Sequence, residues 1–172
     1  KSTPEIQKLL LDRNCGPLKY AGMSTDRSLS GRLIIPIIEN GVTVSYVARA
    51  VGGSQPKELS GPNRSWYLYN IDEVKRDEPV VLVEGIFDCE AVRRAGFASC
   101  AIMGSSLSDT QVGKLLSKSP SKIILMLDGD KAGREGTVKA YKKLLLRTHT
   151  PITCIPLEDG VDPDDIPTDA LK

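Results

Sequence analysis

The stretch that decides the fold reads VVLVEGIFD from Val80 to Asp88, and a companion stretch, IILMLDGD, runs from Ile123 to Asp130. Each begins with an uninterrupted run of aliphatic residues, as expected of a parallel strand covered on both faces. Each continues into acidic residues beside a glycine. Ligand sites of open α/β sheets lie outside the carboxyl ends of the strands, so the pattern predicts such a sheet with an acidic site along that edge.

From residue 79 to residue 172, predicted strands alternate with predicted helices. The strands are Val80–Val83, Ser99–Met103, Ile123–Leu127 and Ile152–Ile155, and the helices are Phe87–Ala95, Ser108–Ser117 and Lys131–Arg147. Ser108 and Gln111 have the spacing of a capping box at a helix start. Strands separated by helices indicate a parallel sheet with right-handed crossovers.

Residues 1–78 have a different pattern. A helix is predicted to open at Pro4, and the aliphatic run Arg32–Ile38 predicts a strand. Asn40-Gly41 follows it, and this dipeptide favours a tight hairpin because both central positions need positive φ. The returning strand is Val42–Val51. We therefore expect a small α+β subdomain over 1–78 and an α/β domain over 79–172.

Composition narrows the class of protein. The chain has 172 residues, 40% apolar and 26% charged, with a net charge of +1. This is typical of a folded globular protein rather than a disordered one. No apolar run approaches the roughly 20 residues that a bilayer requires, and no N-terminal segment has the pattern of a secretory signal, so we expect neither a membrane span nor secretion. Because the chain begins with Lys1 rather than Met, we expect a fragment of a longer protein.

Acidic residues follow three of the predicted strands. They are Glu84, Asp88, Asp128, Asp130, Asp162, Asp164 and Asp165. Such a cluster repels itself unless cations occupy it, and hard oxygen ligands select Mg²⁺ or Mn²⁺. Two ions about 4 Å apart would clamp the oxygens of a phosphoryl transfer. The alternative for each single residue is that it only favours the first turn of a helix.

Three segments resemble the acidic motifs of the TOPRIM domain: VEGIFD (83–88), LDGDKAGR (127–134) and LEDGVDPDD (157–165). The middle motif is similar to that of DnaG-type primases, whereas topoisomerases usually carry D-P-D. RLIIPI (32–37), YVARAVGG (46–53) and PKELSGP (56–62) resemble the subdomain that precedes TOPRIM in those primases. Lys57 is followed by Glu-Leu-Ser rather than the family's Tyr-Leu-Asn.

The resemblance implies a TOPRIM domain with a mostly parallel sheet flanked by helices, preceded by a small α+β subdomain with an antiparallel hairpin. It implies a DNA primase that makes short RNA primers on a single-stranded DNA template from ribonucleoside triphosphates by two-metal nucleotidyl transfer. A replicative helicase, in cis or in trans, is the implied partner. No membrane is involved, and the implied location is the cytoplasm of a bacterium or a phage-infected host.

Site residues are carried over by position. The resemblance implies Mg²⁺ or Mn²⁺ ligation by Asp128, Asp130, Asp162 and Asp164, with Asp88 as a further ligand. Glu84 is either a ligand or the general base, so the implied catalytic residues are Glu84, Asp128 and Asp130. Lys131 and Arg134 would bind nucleotide phosphates. DNA-binding positions are Arg32, Arg49, Lys57 and Arg64, for which ordinary surface cations are the alternative.

Two other functions remain open at this point. A TOPRIM metal-dependent nuclease would use the same carboxylates for hydrolysis, and a non-catalytic single-stranded nucleic-acid-binding module would keep only the fold. DGD and the N-terminal subdomain favour the primase over the nuclease. The self-repelling acidic cluster favours an enzyme over a binding module, since a module has no use for it.

Overall fold

The computed structural model describes residues 4–13, 18, 21–24, 27–52 and 55–172. Gly53, at the end of the YVARAVGG motif, falls outside these residues. The helices and strands are α1 (Pro4–Asp12), β1 (Gly22–Met23), β2 (Arg32–Glu39), β3 (Val42–Ala50), β4 (Glu58–Ser60), β5 (Pro79–Val83), α2 (Ile86–Arg94), β6 (Ser99–Ala101), α3 (Asp109–Ser117), β7 (Lys122–Leu125), α4 (Lys131–Leu145) and β8 (Ile152–Cys154).

The first half of the chain builds an antiparallel sheet. Its described strands lie in the order β1-β2-β3-β4. Asn40 and Gly41 have φ values of 53° and 74° and form a two-residue turn between β2 and β3. The predicted hairpin is therefore confirmed, with positive φ at both central residues. The amides of both turn residues also donate hydrogen bonds to Asp72, at 2.9 and 3.0 Å, which ties the hairpin tip to the chain ahead of β5.

The second half builds a parallel sheet in the order β6-β5-β7-β8. Alternate residues of β5 point to opposite faces, because side chains of a strand repeat with period two. Val80 and Leu82 pack in the cluster that includes residues of α3 and α4. Val81 and Val83 pack in a second cluster with α2 and with β2 and β3 of the antiparallel sheet. Both faces of β5 are thus covered, as its continuous aliphatic run predicts, and the expected fold class is confirmed.

The capping box at α3 also fastens the two halves together. Ser108 accepts a hydrogen bond from the Gln111 amide at 3.1 Å, and Gln111 Oε1 accepts one from the Ser108 amide at 2.9 Å. The fully buried Gln111 side chain donates to the carbonyls of Tyr67 and Ile102 at 2.7 and 2.8 Å. One side chain therefore caps a helix and satisfies carbonyls from two separate segments.

Several elements differ in their bounds from the sequence prediction; β7, for example, ends at Leu125 rather than Leu127. Strand β6 ends at Ala101 rather than Met103, because Met103 has φ 56° and cannot continue an extended strand. Helix α4 ends at Leu145 rather than Arg147. In the aromatic segment 66–69, Trp66 lies in a short 3₁₀ turn and is 53% exposed, and Tyr69 makes a single bridge to Ala101. None of the described helices has the length and apolarity needed to cross a membrane.

Candidate metal centre

Acidic side chains from three segments line one cleft of about 310 Å³. Glu84 directly follows β5, Asp128 lies just after β7, and Asp162 and Asp164 lie beyond β8. Asp88, from the first turn of α2, completes the acidic wall. The same cleft is also lined by Arg13, Arg49, Arg64 and Glu58. The carboxylates that follow the strands therefore lie together at one edge of the sheet, as we expected from the sequence.

Asp130 combines the two roles that the sequence leaves open. Its Oδ1 accepts a hydrogen bond from the Gly133 amide at 2.7 Å, so it caps α4. It also lies close enough to raise the pKa of Glu84 and of Asp128 by charge repulsion. A helix cap and membership of the acidic cluster are thus compatible at this residue.

The segment 157–165, called here the third acidic loop, is fastened to the middle motif through Gly129. The Gly129 amide donates to the Val161 carbonyl at 2.9 Å, and the Gly160 amide donates to the Gly129 carbonyl at 2.8 Å. A Cβ on Gly129 would overlap the carbonyl oxygen of Glu158 and come within 2.5 Å of that of Val161. Glycine is required here because two backbone segments touch.

Asp88 connects the first motif to the third acidic loop. Its Oδ2 accepts a hydrogen bond from the Gly85 amide at 2.9 Å, and its Oδ1 accepts one from the Asp164 amide at 3.2 Å. Burial and, after it, the Asp164 charge raise the pKa of Asp88, and the two amides lower it, which leaves a pKa of about 7. Asp88 is therefore a buried carboxylate that is already held at both oxygens.

Two carboxylate oxygens in the cleft are buried without a hydrogen bond from any described residue: Oδ1 of Asp128 and Oδ1 of Asp164. Burial and, after it, repulsion from Asp88 and Glu84 raise the pKa of Asp128 to about 8. Burial is also the largest cause of the raised pKa values of Glu84, Asp162 and Asp164. Buried polar atoms are normally paired, so these oxygens require a cation or a proton.

The donor set fits a hard divalent cation. Carboxylate oxygens are the ligands that Mg²⁺ and Mn²⁺ prefer, and several carboxylates are available in one cleft. Carboxylate oxygens of Asp162, Asp164 and Asp165 lie within 4.8 Å of one another. Asp165 is exposed and accepts a hydrogen bond from the Asp162 amide at 3.0 Å. The sequence did not single it out as a ligand, although it stands in the same motif.

Arg13 is a site residue that sequence reasoning missed. Its guanidinium donates to Asp164 Oδ2 at 3.1 Å and lies 5.9 Å from the centre of the Phe87 ring. Arg49 lies over the same ring at 5.5 Å and is 3.7 Å from a Glu58 carboxylate oxygen. The residues that line the cleft thus include three arginines and six carboxylates. No motif marks Arg13, since its role depends on α1 reaching the third acidic loop.

The remaining predicted cations are distributed unevenly. Arg64 lines the cleft and pairs with Glu58 at 3.0 Å. Arg32 is 4% exposed and donates to the carbonyls of Pro56, at 2.7 Å, and Ala48, at 3.4 Å, which gives it a structural role in the antiparallel sheet. Lys57 is exposed and is not among the cleft-lining residues.

Lys131 and Arg134 are exposed in the first turn of α4. Arg134 pairs with Asp159 at 2.6 Å and donates to the Gly129 carbonyl at 3.3 Å, so it also braces the third acidic loop. Neither side chain lines the cleft. Both follow the Asp130 cap directly, at the end of the sheet that carries the cleft.

Residues 81–166 match the family model described as Toprim-like. A curated DNA primase of Thermotoga maritima is 34% identical over 139 residues, which cover 74% of this chain and 24% of the relative. The chain therefore spans about a quarter of that relative's length.

Solved structures agree with the sequence match. The zinc-binding and RNA polymerase domains of Aquifex aeolicus primase share the fold with a TM-score of 0.76 at 21% identity, covering 95% of this chain and 52% of that one. A DnaG primase catalytic domain bound to single-stranded DNA has a TM-score of 0.70 at 25% identity, covering 94% and 54%. The fold therefore extends over nearly all of the chain.

Proposed function

The chain belongs to the Toprim-like family, and we propose that it is the catalytic core of a DNA primase, which joins ribonucleotides into short RNA primers on a single-stranded DNA template. The family implies the use of a divalent metal. One observation carries the proposal: the buried Oδ1 atoms of Asp128 and Asp164 lack partners among the described residues, in a cleft that three arginines also line. Nucleotidyl transfer needs both a cation site and a phosphate site in one cavity.

The cation ligands in this proposal are Asp128, Asp130, Asp162 and Asp164, and the cation is Mg²⁺ or Mn²⁺. When bound, such a cation supplies charge neutralisation and lowers the pKa of an attacking hydroxyl. Glu84 faces the same cleft and is half-buried, and its raised pKa suits it to take up the proton of the primer 3′-hydroxyl. The same carboxylate is also within the acidic cluster that would bind the cation.

Arg13 and Arg49 provide the phosphate side of the site. Both guanidiniums line the cleft and lie over Phe87. Each is also close to a carboxylate, Arg13 to Asp164 at 3.1 Å and Arg49 to Glu58 at 3.7 Å. A triphosphate in the cleft would pair its oxygens with these guanidiniums. Lys131 and Arg134, at the start of α4, would extend this phosphate contact toward the outer end of the cleft.

Template binding in this proposal belongs to residues 1–78, and catalysis to residues 79–172. Arg64 lines the cleft and Lys57 is exposed beyond it, so a strand passing from one to the other would meet Arg49 as well. Arg32 is left out of the contact surface because it is buried. Phosphate contacts of this kind give affinity that depends on salt and tolerates any sequence.

The role in the cell follows from the family relationship. A primase core acts where a replicative helicase exposes single-stranded DNA, so we expect a helicase as the partner, in the same polypeptide or bound to it. The related DNA primase of Thermotoga maritima is bacterial. The location that we propose is the cytoplasm of a bacterium or of a phage-infected host.

RNA synthesis on single-stranded DNA with ribonucleoside triphosphates tests the proposal, with Mg²⁺ or Mn²⁺ and with Asp128→Ala as the inactive variant. Asp169→Asn is the matched control, because its carboxylate is almost fully exposed near the C-terminus. We expect short products from the wild type and from the control, and none from Asp128→Ala. Template degradation instead of synthesis would identify a nuclease.

If the chain neither makes primers nor degrades the template, a primer-extension assay is the next experiment. Extension of a pre-annealed RNA primer bypasses initiation, so it reports the transfer step alone. Extension that disappears with Asp128→Ala supports the proposal. If the chain binds DNA but does not extend the primer, it is a non-catalytic single-stranded nucleic-acid-binding module.

A further inference from the structure

Asp88 acts as an anchor, by which we mean a side chain that joins two backbone segments, here those at Gly85 and Asp164. Both of its carboxylate oxygens accept backbone hydrogen bonds, Oδ2 from Gly85 at 2.9 Å and Oδ1 from Asp164 at 3.2 Å. The residue is only 6% exposed. Asp128, in contrast, has a buried Oδ1 with no partner within the described part of the chain. One of these carboxylates is used by the protein itself, and the other is left for a ligand.

We propose that Asp88 is a positioning residue, which holds the third acidic loop so that Asp162 and Asp164 line the cleft together with Asp128. The proposal rests on the proposed function only in naming a divalent cation as the ligand of that cleft. It replaces the expectation that Asp88 is itself a metal ligand.

Gly85 supplies an independent reason for this assignment. A Cβ at position 85 would lie 2.6 Å from Asp88 Oδ2, closer than side-chain carbons approach an oxygen. The backbone at Gly85 is extended, with φ −102°, so its conformation alone does not demand glycine. The missing Cβ leaves room for the carboxylate to reach the Gly85 amide. Gly85 and Asp88 therefore act together as the fixed end of the anchor.

The other end of the anchor is the part of the third acidic loop that carries the carboxylates. Gly160 and Val161 are held by backbone hydrogen bonds to Gly129. Asp164 is held by its amide to Asp88 and by its carboxylate to Arg13. Helix α2 also packs directly on the 3₁₀ turn Pro163–Asp165. Loss of the Asp88 acceptor would release the half of the loop that faces the cleft.

The two possible roles of Asp88 predict opposite changes in the melting temperature of metal-free protein when Asp88 is replaced. The melting temperature falls if Asp88 holds the loop and rises if Asp88 serves only as a cation ligand. In metal-free protein at pH 9, where the carboxylates are ionised, removal of a charge that serves only as a ligand relieves repulsion and raises the melting temperature. Asp128→Asn is the matched control for that case, because its Oδ1 has no protein partner to lose. Asp88→Asn removes the same charge but replaces one accepting oxygen with an NH₂ group that cannot accept.

We expect the melting temperature of metal-free protein to fall by about 3–10 °C for Asp88→Asn and to rise for Asp128→Asn. Amide hydrogen exchange over 162–165 should become about tenfold or more faster in Asp88→Asn and stay unchanged in Asp128→Asn. Calorimetric titration with Mn²⁺ should give about 10- to 100-fold weaker but still saturable binding for Asp88→Asn. A higher melting temperature with unchanged exchange for Asp88→Asn overturns the proposal.

A second variant covers the case in which Asp88→Asn does not fold. Gly85→Ala keeps every charge and displaces the Asp88 carboxylate, so faster exchange over 162–165 supports the anchor and unchanged exchange overturns it. None of these measurements uses a nucleotide or a template. They therefore decide the role of Asp88 whether or not the chain makes primers, and a failure of primer synthesis leaves their outcome intact.

Discussion

Arg13 donates a hydrogen bond of 3.1 Å to Asp164 Oδ2, although the two residues are 151 positions apart in the chain. The contact joins the end of α1 to the third acidic loop and brings a cation into an otherwise acidic wall. The Asp164 side chain is almost completely buried, while Arg13 is about one-third exposed. The first helix of the chain is thereby part of the site built by its last strand.

Loss of that pairing should weaken both the fold and the phosphate site. For Arg13→Ala we expect the free energy of unfolding to fall by about 1–2 kcal/mol, less than for a fully buried pair because Arg13 is partly exposed. The KM for ribonucleotides should rise about tenfold with the loss of one charged contact. Lys8→Ala, an exposed lysine of the same helix, is the control. An unchanged KM in Arg13→Ala would argue against the phosphate role.

Asp128→Asn should abolish metal-dependent synthesis without unfolding the protein. We expect a loss of about 100- to 1000-fold in kcat, because the bound cation supplies several kcal/mol of transition-state stabilisation. Primer extension assays at saturating Mn²⁺, with circular dichroism of the same samples, measure both properties. Near-normal extension by the folded variant would show that the cation is held elsewhere.

The stability of the metal-free protein should decrease between pH 5.5 and pH 8.5. The pKa values of Asp88 and Asp128 are raised to about 7 and about 8, so the folded state keeps protons that the unfolded chain has already released. Under that condition the free energy of unfolding falls as pH rises through the folded pKa values. Melting temperatures in EDTA across this range measure the effect.

Mn²⁺ should reverse that decrease, because cations bind the deprotonated carboxylates and stabilise the folded state. The stabilisation by Mn²⁺ is expected to grow from pH 5.5 to pH 8.5. Asp128→Asn should flatten the pH dependence in EDTA, since it removes one of the raised pKa values. A metal-free melting temperature that is higher at pH 8.5 than at pH 5.5 contradicts this assignment.

Combined replacement of Arg49 and Lys57 by alanine should weaken binding of single-stranded DNA and reduce its salt dependence. Each phosphate contact contributes about 0.7 to the slope of log K against log salt, so the double variant should lose about 1.4. Fluorescence anisotropy of a labelled oligonucleotide from 50 to 200 mM salt, a range chosen for its roughly linear slope, measures this. Lys75→Ala with Arg76→Ala, two exposed cations paired to neighbouring acids, is the control. An unchanged slope would remove both residues from the template path.

Gly129→Ala should be one of the most damaging single-methyl additions in the chain. The new Cβ would overlap the Glu158 carbonyl, and we expect the free energy of unfolding to fall by about 3 kcal/mol. Gly113→Ala is the matched control, because that glycine is in the exposed middle of α3 with open space around it. It should raise the free energy of unfolding by about 0.5–1 kcal/mol. Chemical denaturation of both variants tests the pair.

The sequence predicted an element well wherever the residues that form it interact with near neighbours in the chain. Asn40-Gly41 forms its turn because both residues accept positive φ, and Ser108 with Gln111 forms its capping box because the two side chains need only each other's amides. The aliphatic run of β5 indicated burial on both faces, and the structure confirms it. Met103, whose left-handed φ ends β6 early, carried no such signal.

By itself, the sequence determined that carboxylates would gather at one edge of a parallel sheet, because the carboxyl ends of parallel strands lie at the same edge. Only the tertiary structure decided what each carboxylate does there. Asp88 is occupied by two amides, Asp128 retains a free buried oxygen among the described residues, and Asp164 is paired with an arginine from α1. These distinctions depend on contacts between segments far apart in the chain, and the spacing of residues along the sequence does not predict such contacts.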